Sequence, residues 1–367
     1  MSISIEEKIG QLFFIGLSGV EVNTEIKQLL QDVLPGGICL FARNIRNAEQ
    51  TRQFLNEILE VLPLVPLLSV DQEGGLVDRL RRIATPMPSA ASIQTTEDAE
   101  KLARVTNEIL LMLGFNMNFA PVVDVIDEHR TDNTNGLYSR AFGKTKESAS
   151  ELAGIYLNTL QNGGCLGCLK HFPGLGASQA DSHDDLPIVK LTRNDLFDTD
   201  LFPYRNLFKS TQAHAVMVAH ASYPLFDLQE IDVDGKLLPS SLSFNIINNL
   251  LRRELSFQGL VITDDLEMGA ILKNYSIGEA CIMAINAGVD MVSICADSGN
   301  IREGFRAVVE AVKTGEISKT RIDESLKRIS QVKSLIKSPL PLDTVRLQFL
   351  SREIAELNKK VNYSYGG

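Results

Sequence analysis

The sequence predicts an α/β protein folded as a (β/α)8, TIM-like barrel, and three observations support this prediction. Short apolar runs recur along the 367 residues, and segments with a helical spacing of apolar residues lie between them. The runs are rich in branched side chains and nearly continuous in apolarity, which is typical of parallel strands buried on both faces. Eight such runs alternate with helices, and this alternation favours a closed parallel barrel.

Each predicted strand is a short apolar run that ends in Gly, Asn, Asp or His. In chain order the strands are expected near residues 12–16, 37–41, 66–70, 118–125, 166–171, 215–220, 259–264 and 290–295. Because all are short and flanked by helical segments, none is expected to stand outside the barrel.

The predicted helices have apolar residues three and four positions apart, so that one face of each can pack against the barrel. Capping residues such as Thr95 and Ser243 precede several of them. The helices are expected over residues 48–62, 97–113, 147–162, 194–212, 244–254, 278–286, 302–312 and 319–336.

The chain is expected to form a single catalytic barrel domain over residues 1–337. No stretch before KSPLPLD, residues 337–343, has the composition of a linker between domains. One more amphipathic helix follows, at about residues 344–361. We therefore expect residues 338–367 to be a C-terminal helix and tail appended to the barrel.

Composition narrows the range of partners. A net charge of −10 and a pI near 5.1 argue against nucleic acid, which needs a basic face. The first residues, MSISIEEKIGQLFF, lack the basic start of a signal peptide, and no apolar run reaches the roughly 18 residues of a membrane span. A cytoplasmic protein with no membrane partner is expected.

The five cysteines lie in apolar contexts and are expected to be buried free thiols. Cys165 and Cys168 have the spacing of a redox or zinc pair, but no second pair accompanies them. We expect neither a metal nor an organic cofactor.

Polar residues follow the predicted strands at the end where barrel enzymes carry their active sites. For Asp124 a structural role as a turn cap is expected, and for His220 a buried structural role and a functional one stay equally open. An acid directly after the apolar run GLVIT, Asp264, needs a partner or a function. The predicted rim comprises Asp71, Glu73, Asp124, Arg140, Lys170, His171, His220, Asp264, Asp265 and Asp297.

The stretch LKHFPGLGASQADSHDDLP, residues 169–187, predicts a long loop after the fifth strand. Asp181 and His183 are two positions apart, so they face the same way in an extended segment. A carboxylate beside a histidine fixes its tautomer and raises its basicity, which suits acid/base catalysis. A surface turn with solvated charges is the alternative.

Three chemistries compete at this rim. Metal-dependent hydrolysis could use His171, His183 and His220, but their spacing matches no known ligand pattern. Phosphate binding would need glycine-rich turns late in the barrel, for which the evidence is thin. Glycoside hydrolysis needs two carboxylates, of which Asp264 is one, and the second role could pass to the His183–Asp181 pair.

The segment KHFPGLGASQADSH resembles the signature of β-N-acetylglucosaminidases in glycoside hydrolase family 3. Similar stretches run along most of the chain, roughly over residues 5–335. They include GGICLFARNI, VDQEGGLVDRL, FAPVVDV, SRAFG, VMVAHASYP and GLVITDDLEMGAI. The chain resembles the compact single-domain members, which implies a retaining hydrolase on a (β/α)8-like barrel.

The resemblance implies the catalytic residues. The first acid of the family's Asp-Asp pair is the nucleophile, which corresponds to Asp264. Strand alternation alone leaves the choice between Asp264 and Asp265 open. The family's acid/base is a loop histidine, here His183, with Asp181 as its partner.

The resemblance also implies the sugar contacts. Asp71 is expected to accept hydrogen bonds from hydroxyl groups of the terminal sugar. Arg79, Arg140, Lys170 and His171 are expected to bind the same sugar. Structural ion pairs among these residues are the alternative.

The implied function is a cytoplasmic exo-β-N-acetylglucosaminidase that acts on small saccharides, such as N-acetylglucosamine linked to anhydro-N-acetylmuramic acid from peptidoglycan turnover. A phosphorylase and a non-catalytic sugar-binding barrel are the alternatives. Two departures from the family pattern bear on leaving-group specificity. Leu76 stands where many relatives have arginine, and the loop over residues 222–238 is longer than usual.

Overall fold

A computed structural model of the chain describes residues 4–131, 136–179 and 185–365, and in it eight parallel strands close into a barrel. Each strand pairs with the next along the chain, and the last pairs with the first. The predicted barrel is therefore confirmed. The strands are β1 Phe13–Gly16, β2 Gly37–Leu40, β3 Leu67–Val70, β4 Met117–Asn118, β5 Leu166–Phe172, β6 Ala215–Val218, β7 Leu260–Asp265 and β8 Met291–Ile294.

Helices surround the strands. They are α1 Ile5–Gly10, α2 Thr24–Val33, α3 Ala48–Val61, α4 Thr96–Leu113, α5 Lys146–Gly163, α6 Arg193–Asp195, α7 Phe202–Ser210, α8 Gly269–Leu272, α9 Ile277–Ala287, α10 Ser298–Thr314, α11 Lys319–Lys333 and α12 Thr344–Lys360. Leu196–Asp200 and Asn245–Glu254 are π-helical. Among the helices in the described ranges, none combines the length and apolarity needed to cross a bilayer.

Seven of the predicted strands match the structure to within two residues at their ends, and the fourth does not. Residues 118–125 were predicted as one strand, but β4 contains only Met117 and Asn118. Pro121 has no N–H to donate to a strand ladder, so regular pairing stops before it. Beyond it, Val122 makes only an isolated parallel bridge with Lys170.

The predicted helices are also mostly present, with one interruption. Residues 194–212 were predicted as one helix, but the segment divides into α6, a π-helical turn and α7, with Pro203 near the start of α7. The predicted caps are confirmed, because Thr95 accepts a hydrogen bond from Asp98 N and Ser243 from Ile246 N. The pattern did not predict the short helices α1, α2 and α8.

The strands are buried on both faces, as their apolar composition predicts. Phe13 packs edge-on against Phe305 of α10, with 5.8 Å between ring centroids. Its neighbour Phe14 points to the other side and contacts Phe119 inside the barrel, at 5.0 Å. Side chains that face the helices and side chains that face the barrel interior therefore belong to one continuous core.

Helix α12 lies against α4. Four buried side chains form its apolar face, namely Leu347, Leu350, Ile354 and Leu357. Arg346 binds Glu108 with two hydrogen bonds of 2.5 and 2.7 Å, and Lys360 Nζ lies 2.6 Å from Asp98 Oδ1. The proposed division of the chain after residue 337 stays a prediction.

A buried carboxylate organises the end of the barrel opposite the strand termini that carry the polar rim. Asp290 directly precedes β8 and is fully buried. Three arginines, a serine and a backbone N–H donate to it: Arg252 Nη2 at 2.6 Å, Arg328 Nη1 at 3.0 Å, Arg321 Nη2 at 3.2 Å, Ser325 Oγ at 3.0 Å and Val261 N at 3.0 Å. This residue therefore ties β7 and β8 to α11.

We expect Asp290→Ala to lower the free energy of unfolding by about 3–5 kcal/mol, because it leaves buried guanidinium groups without their carboxylate. Urea denaturation measures this loss. The matched control is Asp323→Ala, which removes a surface ion pair with Lys8. The Asp323 side chain is 60% exposed. That change should cost no more than about 1 kcal/mol. Equal losses in the two variants would contradict the role given to Asp290.

Candidate active site

A pocket of about 340 Å³ opens at the carboxyl ends of the strands. All six predicted site residues within the described ranges line it, namely Asp71, Arg79, Arg140, Lys170, His171 and Asp264. The structure therefore brings together side chains that are up to 193 positions apart in the sequence, from Asp71 to Asp264. The predicted catalytic residues Asp181 and His183 lie outside the described residues.

The turn after β3 brings two acids to the pocket. Asp71 and Glu73 are followed by Gly74 and Gly75, which have φ values of +91° and +60°. Side chains other than glycine rarely adopt this backbone. A Cβ on Gly74 would also lie 2.2 Å from the carbonyl oxygen of Pro88, so the turn packs tightly against a neighbouring loop.

Lys170 lies between these two acids. Its Nζ is 2.6 Å from Asp71 Oδ1 and 2.6 Å from Glu73 Oε1. Arg140 adds two hydrogen bonds to Glu73, from Nε at 2.8 Å and from Nη2 at 2.9 Å. Asp71, Glu73, Lys170 and Arg140 thus form one connected network, which we call the rim ion network.

Pairing keeps Glu73 and Lys170 charged although both are buried. Burial alone would raise the pKa of Glu73, but Arg140 and Lys170 outweigh burial and lower this pKa below its usual range. Burial alone would lower the pKa of Lys170, and Asp71 and Glu73 raise it instead. The network therefore presents fixed charges to the pocket at neutral pH.

His171 is oriented by Asp124. Its Nδ1 lies 2.7 Å from Asp124 Oδ2, and a carboxylate in this place favours a proton on Nδ1 and fixes the ring. Asp124 also accepts the backbone N–H of His171 at 3.3 Å and of Leu175 at 2.6 Å. Asp124 thus has the turn-capping role that the sequence predicts. It also orients His171, which the sequence did not predict.

Lys170 and His171 both reach the pocket although they are adjacent in sequence. In a regular strand such neighbours point to opposite faces. Here β5 is irregular: the Lys170–His171 peptide bond is cis, and the register of β5 against β6 shifts between Leu169 and Phe172. Because of this shift in register, regular alternation does not hold for this pair.

The two acids at the end of β7 have different environments. Burial raises the pKa of Asp265 to about 7, and its Oδ1 accepts the backbone N–H groups of Glu267 and Cys295 at 3.1 and 3.2 Å. Burial would also raise the pKa of Asp264, but His171, His220 and Lys170 help to lower it below its usual range. The structure therefore distinguishes the two acids, which strand alternation left equivalent.

His220 combines both of the roles that the sequence left open. It is fully buried, with Nδ1 2.7 Å from Ser241 Oγ and Nε2 3.0 Å from the carbonyl oxygen of Asp265. These contacts are those of a structural histidine. The second contact holds the peptide that follows Asp265, at the end of β7 and next to Asp264.

Arg79 offers donors to a ligand. Its backbone N–H donates to Gln72 Oε1 at 2.9 Å, and this bond fixes the backbone position of Arg79. Its Nε is buried, and among the residues that the structure describes it has no hydrogen-bond partner. A buried donor of this kind is available to a ligand that brings a hydrogen-bond acceptor into the pocket.

Several lining residues were not predicted. Glu267 accepts hydrogen bonds from Asp297 N at 3.0 Å and from Asn300 Nδ2 at 2.8 Å, at the start of α10. Its position three residues after Asp264 was the signal in the sequence that could have indicated a place in the pocket. The apolar part of the wall includes Phe41, Phe119, Met217 and Met268. Within the described ranges, no three His, Cys, Asp or Glu side chains form a group suited to hold a metal.

Comparison with known proteins places the barrel among glycosidases. The model of the glycosyl hydrolase family 3 N-terminal domain matches residues 4–332. Beta-hexosaminidase A of Pseudoalteromonas piscicida is 30% identical over 84% of this chain and 55% of its own length, so this chain spans little more than half of that relative. The beta-hexosaminidase of Haemophilus influenzae is 32% identical over 82% of this chain and 83% of its own length.

Solved structures agree. A glycoside hydrolase family 3 β-N-acetylglucosaminidase from Paenibacillus sp. aligns over 97% of this chain and 69% of its own, with a TM-score of 0.88 and 32% identity. LpqI of M. tuberculosis aligns over 92% of this chain and 95% of its own, with a TM-score of 0.79 and 30% identity.

The difference between the two β7 acids leads to a prediction about stability and pH. A folded-state pKa of about 7 for Asp265 lies above the unfolded value near 4. The folded state then binds more protons between these values, so this group's contribution to stability is complete below pH 4 and is lost as pH rises to 7. We expect Asp265→Asn to gain stability relative to the wild type over this interval, by on the order of 1 kcal/mol per pH unit.

Asp264→Asn is the matched control. The folded pKa of Asp264 is lowered, so its ionisation stabilises the fold above about pH 4, and this contribution is lost as pH falls. Relative to the wild type, Asp264→Asn should therefore lose stability as pH rises through the acid range and stay level from pH 5 to 8. Denaturant titrations from pH 3 to 8 measure the stability of both variants. Parallel pH profiles would contradict the different pKa shifts given to Asp264 and Asp265.

Proposed function

The chain belongs to glycosyl hydrolase family 3, and from this premise we propose that it is a retaining exo-β-N-acetylglucosaminidase that removes terminal non-reducing N-acetylglucosamine. The observation that carries the proposal is that Asp264, whose pKa is lowered, lines one pocket together with the rim ion network. Relatives named beta-hexosaminidase and β-N-acetylglucosaminidase, 30–32% identical to this chain, support it.

Asp264 is the proposed nucleophile. In a retaining mechanism a carboxylate attacks the anomeric carbon, so it has to be ionised before the substrate binds. The lowered pKa of Asp264 meets this requirement, whereas Asp265 titrates near pH 7 and its Oδ1 is already bound to two backbone N–H groups. Attack breaks the glycosidic bond and forms a glycosyl ester on Asp264.

His183 is the proposed acid/base, with Asp181 as its partner. His183 protonates the leaving oxygen in the first step and takes a proton from the attacking water in the second. The assignment rests on the sequence signature and on chemistry. A histidine in this role avoids placing a second carboxylate close to Asp264, where two like charges would raise each other's pKa.

The remaining predicted residues bind the terminal sugar in this proposal. Asp71 has a 17% exposed side chain and keeps lone pairs for sugar hydroxyls beyond its bond to Lys170. Lys170 uses two of its three donors within the rim ion network, Arg140 retains Nη1, and Arg79 contributes its guanidinium. His171 presents Nε2 at the same wall.

Pocket size supports exo cleavage. A volume of about 340 Å³ is near the lower end for small-molecule sites, which suits one terminal sugar rather than a bound chain. The proposal extends to peptidoglycan turnover fragments as substrates and to the cytoplasm as the location. Five free, buried cysteines support a reducing compartment.

We expect Asp264→Ala to lower kcat for an aryl N-acetyl-β-glucosaminide by roughly 10³- to 10⁵-fold, because no glycosyl ester can form. The release of the aryl group, measured by absorbance, reports the rate. Asp323→Ala should retain the wild-type rate. A wild type without turnover would instead favour a non-catalytic sugar-binding barrel.

Product analysis separates hydrolysis from phosphorolysis. A histidine acid/base does not repel an anionic acceptor, so phosphate could in principle replace water. We expect free N-acetylglucosamine as the main product with and without phosphate. Sugar 1-phosphate as the main product would replace the hydrolase assignment by a phosphorylase.

Replacing the acid/base should discriminate between leaving groups. For His183→Ala we expect kcat/KM to fall by roughly 10²- to 10⁴-fold with poor leaving groups, which need protonation. With a dinitrophenyl leaving group kcat/KM, which reports the first step, should stay near the wild-type value. A series of aryl glycosides measures this slope, and an equal loss across the series would contradict the role of His183.

A further inference from the structure

Helix α12 contacts the loop that carries Arg79. We propose that Ser351 and Asn358 of this helix are positioning residues for the terminal sugar, and that they act through residues 78–88, which we call the Arg79 loop. This inference rests on the proposed function, in which Arg79 binds that sugar. The family match ends at residue 332, so α12 lies beyond it.

The inner side of the Arg79 loop is fixed to the barrel. Gln72 Oε1 accepts the backbone N–H groups of Arg79 at 2.9 Å and of Leu80 at 3.1 Å. The loop is closed on itself by the buried Asp78, which accepts Leu80 N at 3.0 Å and Met87 N at 2.7 Å. Asp78 therefore couples the part of the loop next to Arg79 to Met87 in its far part.

The far part of the loop packs against the turn that follows Glu73. Gly75 N donates to the carbonyl oxygen of Met87 at 3.0 Å. Gly74 packs so closely on Pro88 that a Cβ there would lie 2.2 Å from its carbonyl oxygen. A shift of residues 86–88 therefore moves the turn that carries Glu73, as well as the loop that carries Arg79.

Two side chains of α12 hold this far part from outside. Ser351 Oγ accepts the backbone N–H of Thr85 at 3.3 Å, and Asn358 Nδ2 donates to the carbonyl oxygen of Pro86 at 2.9 Å. The two residues are at i and i+7 and thus share one face of the helix. They thus give hydrogen-bond partners to the N–H of one loop residue and to the C=O of the next.

The anchoring of α12 does not depend on these two residues. Arg346 and Lys360 pair with Glu108 and Asp98 of α4, and the apolar face of α12 is buried independently of Ser351 and Asn358. Removing the two polar contacts should therefore leave the helix in place and release only the loop. This separates positioning from overall stability.

Small displacements at Arg79 matter because its guanidinium is placed to donate hydrogen bonds, whose strength falls with distance and angle. A sugar contact made equally in the ground state and the transition state affects KM and not kcat. We expect the double variant Ser351→Ala/Asn358→Ala to raise KM by about 3- to 10-fold, with kcat within about twofold of wild type. Its affinity for N-acetylglucosamine, measured by calorimetry, should fall by the same factor.

Arg346→Ala is the matched control, because it removes a contact between α12 and α4 that does not touch the loop. It should keep the wild-type KM. Ser351→Thr keeps the hydroxyl acceptor and should also behave as wild type. Asn358→Asp keeps the side-chain shape but loses the donor, so it should raise KM even if the double variant fails to fold.

A wild-type KM in a folded double variant, or in Asn358→Asp, would overturn the inference, and so would an equal rise in Arg346→Ala. Arg79→Ala, measured in parallel, separates this failure from failure of the proposed function. If Arg79→Ala raises KM and the α12 variants do not, only the inference fails. If Arg79→Ala leaves KM unchanged, the sugar-binding assignment of Arg79 fails, and the inference fails with it.

Discussion

A buried lysine between two carboxylates is the interaction on which the pocket depends. Lys170 could not remain charged at this depth alone, because burial opposes ionisation. Asp71 and Glu73 stabilise the charge of Lys170, and Arg140 pairs with Glu73. The two cations and the two anions therefore balance. Asp71 and Glu73 follow β3, Lys170 lies in β5, and Arg140 lies in the segment between β4 and α5. The closed barrel is therefore a precondition for their charge states.

That balance leaves Asp264 as an ionised acid beside the network. Its neighbour Asp265 is held by two backbone N–H groups and titrates near pH 7, so at neutral pH the two do not add two full negative charges at one place. Two adjacent acids with different environments can take different roles, which is a common arrangement in hydrolases. Here the difference arises from the strand end and the turn after it, not from the residue types.

The sequence predicted the barrel and seven of the ten rim residues that line the pocket, because both depend on local pattern and on strand ends. Asp124, His220 and Asp297 do not line it. It overextended the fourth strand, since Pro121 interrupts pairing within an otherwise apolar run. It did not predict that Asp124 orients His171, because nothing in the sequence measures the 2.7 Å between side chains 47 positions apart. The different environments of Asp264 and Asp265 could not be predicted, because they depend on backbone donors from Glu267 and Cys295 that only the fold brings together.

Asp124 also links the two halves of the proposed chemistry. The proposed sugar-binding residues are held by ion pairs at one end of the barrel, whereas the proposed acid/base belongs to the loop after β5. Asp124 holds the His171 ring and accepts Leu175 N at 2.6 Å, near the start of that loop. After the loop, Ser222 N donates to Pro187 O and Val189 N to Ser222 O, at 2.9 and 2.8 Å. Both described flanks of the loop are therefore fixed to the barrel. Asp124 orients His171, a proposed sugar ligand, and anchors the start of the loop whose sequence contains the proposed acid/base.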